Sequence, residues 1–117
     1  MRRNETTDEG FDAHVDEEAT ENGGDTAVVR VRGSLDLATL KRLESVVAPL
    51  LGAGGPRRLL LDLAEVPFVD SAALGGLVRF RHGLAERGGA LVLRHCRPEV
   101  RHALDVTRLA RLFEVAP

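Results

Sequence analysis

The run Arg58-Leu59-Leu60-Leu61-Asp62-Leu63 sets the terms for any fold of this chain. It is short, almost wholly apolar and bounded by turn residues, with Gly52-Ala53-Gly54-Gly55-Pro56 before it and Pro67 after it. Such a segment reads as a central strand buried on both faces. Strands of this kind pair in parallel, and parallel neighbours need crossover connections, usually helical.

The flanking sequence supplies those connections. Ala27-Val28-Val29-Arg30-Val31-Arg32-Gly33 is β-branched and alternates at its end, as a strand does. After Gly33-Ser34-Leu35-Asp36, the residues Leu40, Leu43, Val47, Leu50 and Leu51 recur at the spacing of one helix face. Pro49 removes a backbone donor and presses on the carbonyl of Ser45, which predicts a kink or an early end. Downstream, Pro67-Phe68-Val69-Asp70-Ser71 leads into a second helix with Leu74, Leu77, Val78 and Leu84 inward and Arg79, His82 and Glu86 outward. Gly88-Gly89 closes it. Ala90 to Cys96 reads as another strand, Pro98-Glu99 opens a short helix to about Asp105, and Leu109, Leu112, Phe113 and Val115 form a last apolar element. Near the start, Phe11 to Asp16 alternates like a half-buried edge strand, followed by a loop from Thr20 to Asp25. The expected fold is α/β, a mixed, largely parallel sheet of four to five strands covered by helices. It occupies a single domain over residues 10–117, behind a polar, disordered arm at residues 1–9.

Composition narrows the function. A chain of 117 residues supports one core and leaves no room for a second catalytic domain. With 29% charged residues, a net charge of -2 and no basic stripe, nucleic acid is not expected as a direct partner. No apolar run approaches the roughly 18 to 20 residues that cross a bilayer, so membrane insertion is not expected. The single cysteine, Cys96, cannot form an internal disulfide and reads as a core filler, and no charged start followed by an apolar run marks a secretory signal. A cytoplasmic location is expected.

Asp70-Ser71 falls between a buried strand and a helix start. A short oxygen-bearing side chain there accepts hydrogen bonds from unpaired first-turn amides, so helix capping is its ordinary role. The order of motifs adds a functional reading. Gly33-Ser34-Leu35-Asp36, then a helix, then Leu59-Leu60-Leu61-Asp62-Leu63, then Phe68-Val69-Asp70-Ser71-Ala72-Ala73-Leu74-Gly75 resembles the STAS domains of the anti-sigma factor antagonist family from about Val28 to Val115. The resemblance implies a non-enzymatic partner switch without a cofactor. The serine after the loop aspartate, here Ser71, would be phosphorylated by an ATP-using anti-sigma serine kinase. The unphosphorylated protein would bind that kinase and free a sigma factor, and a PP2C-like phosphatase would reset it. Asp36 and Asp70 fall on the family's two aspartates, and Asp36, Asp70, Ser71, Ala72, Ala73, Leu74 and Gly75 are the implied partner surface.

The chain departs from that pattern. Ala72 and Ala73 replace the usual second Ser and the Gly, Ser34 stands where Glu is common, and Arg108 takes a place where Gly often follows the third helix. The sequence ends at Pro117 without the final helix of many relatives. Gly75 and Gly76 inside the second helix each cost up to about 1 kcal/mol relative to Ala, which either the close approach of another backbone or poor local design would explain. The main alternative is a non-switching STAS scaffold in a signalling or lipid-transport assembly, with Ser71 only a cap. His14, His82, His95 and His102 lack paired metal-ligand spacing, so no metal site is expected. Ser71 lacks the Gly-x-Ser-x-Gly elbow of a hydrolase nucleophile, and no catalytic residue is assigned.

Overall fold

The apolar run beginning at Arg58 becomes the middle strand of a five-stranded sheet. The computed structural model describes residues 10–19 and 25–116; the expected arm at residues 1–9 and most of the loop from Thr20 lie outside these. In chain order the elements are β1 (Asp12–Val15), β2 (Thr26–Arg32), α1 (Leu37–Val47), β3 (Arg58–Glu65), α2 (Ser71–Ala85), β4 (Ala90–Arg94), α3 (Pro98–Val106) and β5 (Glu114–Ala116). The strands lie in the order β1-β2-β3-β4-β5, with β1 antiparallel to β2 and the rest parallel.

Alternation along each strand sorts side chains onto two faces. Val29, Val31, Leu59, Leu61, Leu91 and Leu93 share one core with Leu43 and Val47 of α1, Leu77 and Leu84 of α2, and Val100 and Leu104 of α3. Burying each such side chain contributes about 1.5–3 kcal/mol. The opposite face carries a smaller strip, Val28, Leu60 and Val92, against which Ala19 and Ala116 pack. Among the described residues no α-helix covers that strip, only the short 3-10 turn Glu17–Ala19, so β3 is buried on both faces by two different means.

Pro49 ends α1 early, as its chemistry requires. The α-helix stops at Val47 and tightens into a 3-10 turn at Ala48–Leu50, leaving Leu50 and Leu51 only partly buried. The inner stripe of α2 is Ala73, Leu74, Leu77, Phe80 and Leu84, so Phe80 joins the core and Val78 moves to its margin. The paired glycines divide in an unforeseen way. A Cβ on Gly76 would lie 2.6 Å from Leu40 Cδ1, whereas one on Gly75 meets nothing nearer than Arg79 Nη1 at 3.9 Å. The close neighbour of Gly76 is thus a side chain of α1 and not another backbone.

Gly33 is required twice over. Its φ of +101° suits glycine, and a Cβ there would sit 1.9 Å from the Gly10 carbonyl oxygen, where the chain enters β1. Arg108, with φ +62°, occupies the left-handed region after α3 that glycine fills without strain.

Candidate functional site

Two loops leave the carboxyl ends of neighbouring parallel strands and are laced together. Gly33 N–H donates to Glu65 O at 2.9 Å, Leu35 N–H to Phe68 O at 2.9 Å, and Asp70 N–H to Leu35 O at 3.1 Å. A parallel bridge between Leu35 and Val69 results, with both side chains buried. The apolar residues hold the loops down, and the residues on either side emerge at the starts of α1 and α2.

Each aspartate then does a defined job. Asp36 Oδ1 accepts the Thr39 N–H at 3.0 Å while Thr39 Oγ1 accepts the Asp36 N–H at 3.0 Å, a reciprocal capping box on α1. Asp70 Oδ1 accepts the Ala73 N–H at 2.8 Å and caps α2, and its other oxygen, Oδ2, accepts the Leu37 N–H of α1 at 3.3 Å. One carboxylate therefore serves the starts of two helices. Its charge also suits the positive end of each helix dipole.

Ser71 is the first residue of α2 and is exposed. Capping, its ordinary alternative role, belongs to Asp70, and among the described residues the Ser71 hydroxyl makes no hydrogen bond. Of the other residues named from the sequence, Ala72 and Gly75 are half-buried beside it. Ala73 and Leu74 are buried in the core, at 0% and 4% exposure, and hold the helix down rather than face a partner. Leu37 and Phe68, which are not among the implied partner residues, are instead exposed near Ser71, at 65% and 52%. Phe68 was legible in principle. On an extended stretch, burial of Val69 turns its predecessor outward.

A second polar cluster, absent from the sequence expectations, crosses the face opposite the α-helices. Asp62, 5% exposed, lies in register between Arg30 of β2 and Arg94 of β4. Its Oδ2 accepts from Arg30 Nη1 at 2.5 Å, and its Oδ1 accepts the Ala64 N–H at 3.1 Å and pairs with His95 Nδ1 at 3.2 Å. Arg30 Nε also reaches Asp16 Oδ2 at 2.6 Å. Burial pushes the Asp62 carboxyl up, but the Ala64 amide, His95 and Arg30 together outweigh it and hold its pKa below the ordinary carboxylate value. Every acceptor of this carboxylate is engaged within the fold, so the cluster reads as a structural tie. Cys96 packs partly buried against the main core, and burial raises its thiol pKa, which makes it a poor nucleophile.

The fold that carries these two loops is shared with known proteins. The family model described as the STAS domain matches residues 17–117. This chain belongs to the STAS domain family. A STAS-domain containing protein of Pseudomonas aeruginosa is 34% identical over 61 residues, which is 52% of this chain and 60% of that protein, so less than two thirds of that relative is matched. BtrV of Bordetella bronchiseptica, provisionally named an anti-sigma factor antagonist, is 29% identical over 86 residues, covering 74% of this chain and 73% of BtrV. The crystal structure of an anti-sigma factor antagonist from Mycobacterium paratuberculosis superposes with a TM-score of 0.76 at 25% identity, over 95% of this chain and 89% of that one. The same fold, at 19% identity and a TM-score of 0.68, occurs in a sulfate transporter family protein of Wolinella succinogenes, matching 79% of this STAS domain and 76% of that chain. No helix among the described residues is long and apolar enough to cross a membrane.

Proposed function

We propose that this STAS domain is a cytoplasmic, non-enzymatic anti-sigma factor antagonist that works as a phosphorylation switch at Ser71. Unphosphorylated, it binds an ATP-using anti-sigma serine kinase and so frees a sigma factor; phosphorylated, it lets go, and a phosphatase of the PP2C type resets it. One observation carries the reading. Ser71 is exposed at the mouth of α2 with its hydroxyl uncommitted, because Asp70 has taken over the cap. The cap of α2 does not depend on the Ser71 hydroxyl, so its modification leaves the Asp70 cap in place.

The electrostatics favour a switch without refolding. Phosphate adds about -1.5 to -2 charges, which a helix start tolerates. Against a partner, the same group must be desolvated near the carboxylates of Asp70 and Asp36. A penalty of about 3–4 kcal/mol weakens binding several hundredfold, enough to reject the partner.

The test is affinity capture from native extract with wild type, Ser71→Ala and Ser71→Asp as baits, with partners and Ser71 phosphate read by mass spectrometry. An ATP-binding kinase recovered by wild type and Ser71→Ala but not by Ser71→Asp supports the switch. Identical partner sets with unmodified Ser71 support a non-switching scaffold instead, a role compatible with the occurrence of this fold in transporter proteins.

A further inference from the structure

Only three large apolar side chains are exposed among the described residues, Leu37, Phe68 and Val106. Two of the three flank Ser71. The Leu37 amide bonds Asp70, the residue before Ser71, and Phe68 lies three residues ahead of Ser71 on the same loop. Their placement is fixed by backbone. The Leu37 amide is held by Asp70, and the Phe68 carbonyl is held by the Leu35 amide. Exposed apolar side chains on a held backbone around a modifiable hydroxyl suit docking, because they bring contact area without the loops having to be ordered on binding.

The surrounding charge indicates what docks. The carboxylates of Asp36 and Asp70 are turned to backbone amides. Lys41 lies one turn beyond Leu37 on α1, exposed and without an ion pair among the described residues. Arg79, two turns beyond Ser71 on α2, shares its charge with Glu44 at 3.2 Å. Lys41 is therefore the unpaired charge that α1 turns outward beside the anchors.

We propose that Leu37 and Phe68 are the apolar anchors on which the Ser71 kinase docks, and that Lys41 meets an acidic edge of the socket receiving them. The inference rests on the switch reading and specifies its partner surface. Ser71 between the anchors is where the kinase must deliver the phosphoryl group, so one surface serves both for holding the partner and for being modified. Adding phosphate there places a charge in the centre of an apolar contact whose rim attracts acids on the partner, and the two negative groups then oppose each other.

The experiment replaces the chromosomal copy in the source cells with Leu37→Ser/Phe68→Ser, Lys41→Glu or the matched control Val106→Ser. Ser71 phosphate is read by phosphate-affinity electrophoresis and mass spectrometry, and folding by thermal unfolding of each purified protein. The double variant is expected to lose about tenfold or more in Ser71 phosphorylation with an unchanged unfolding midpoint. Lys41→Glu is expected to lose less, and Val106→Ser nothing. Wild-type phosphorylation of the double variant overturns the anchors and leaves the switch standing. A double variant that loses phosphate only because it unfolds fails the unfolding control, and the separate Leu37→Ser and Phe68→Ser proteins, if folded and fully phosphorylated, likewise overturn the anchors. Absence of Ser71 phosphate from the wild type overturns the switch reading and this proposal with it.

Discussion

Asp70 Oδ2 accepts the backbone N–H of Leu37 at 3.3 Å, so a residue at the start of α2 holds the start of α1. Asn at position 70 offers one acceptor oxygen where Asp offers two, and so can keep the Ala73 cap or the Leu37 bond but not both. Asp70→Asn is expected to destabilise by about 1 kcal/mol and Asp70→Ala by about 2 kcal/mol. Urea unfolding gives the magnitudes. Amide hydrogen exchange gives the mechanism, with one of the Ala73 and Leu37 amides losing protection in Asp70→Asn and both in Asp70→Ala.

Gly75 and Gly76 are neighbours with opposite expectations. Gly75→Ala meets open space and gains helix propensity, for about 0.5–1 kcal/mol of added stability. Gly76→Ala drives a methyl to within 2.6 Å of Leu40 Cδ1 in a packed contact, and overpacking of about 1–3 kcal/mol outweighs the propensity gain. Thermal unfolding midpoints should move in opposite directions, and Leu40→Ala should reduce the penalty of Gly76→Ala.

Asp62 predicts an acid limb in the stability curve. Its folded pKa lies below the ordinary 3.8, so the fold favours the carboxylate over the acid. That contribution is present in full above about pH 4 and is lost as the pH falls through the folded value. Asp62→Asn cannot titrate and should flatten the decline below pH 4. It should also lower stability at neutral pH by about 1–3 kcal/mol, since Arg30 and His95 lose their shared anion. Urea midpoints from pH 2.5 to 7 for both proteins check both statements.

Arg108 predicts a gain. At φ +62° a side chain bears a strain of up to about 1–2 kcal/mol that glycine avoids, partly offset by the greater entropy of glycine in the unfolded chain. Arg108→Gly should leave stability unchanged or raise it by up to about 1 kcal/mol, as read by calorimetry.

Most of the fold was legible because its signals are local. The apolar run at β3, the proline at position 49 and the helical spacing of Leu40, Leu43 and Val47 each depend on a few residues of sequence. What sequence could not supply was register. Arg30 and Asp62 read as scattered polar residues until the parallel pairing sets them side by side. The same holds at the site. Ser71 and Asp70 were found from their motif, but the division of labour between them depends on which oxygen reaches Ala73. The contiguous motif places Ala73 and Leu74 on the partner surface while helical period already places Leu74 inward, and the structure buries both in the core. Leu37, three residues before Leu40, carries an inward-looking period that Asp70 overrides by fixing its amide at the exposed first turn.

The crossing of Gly10 over Gly33 has a practical side. Gly10 lies at the sheet end where β2 finishes, and Ala116, paired in parallel with Arg94, lies at the same end on the far edge. A fluorescent protein or purification handle joined through either of these positions would stand at the sheet end where α1 and α2 begin. The hairpin of glycines before β3 is at the opposite end of the sheet, and the Ala53 side chain there is open to solvent. A label carried at Ala53 leaves Ser71 and its neighbours unshaded.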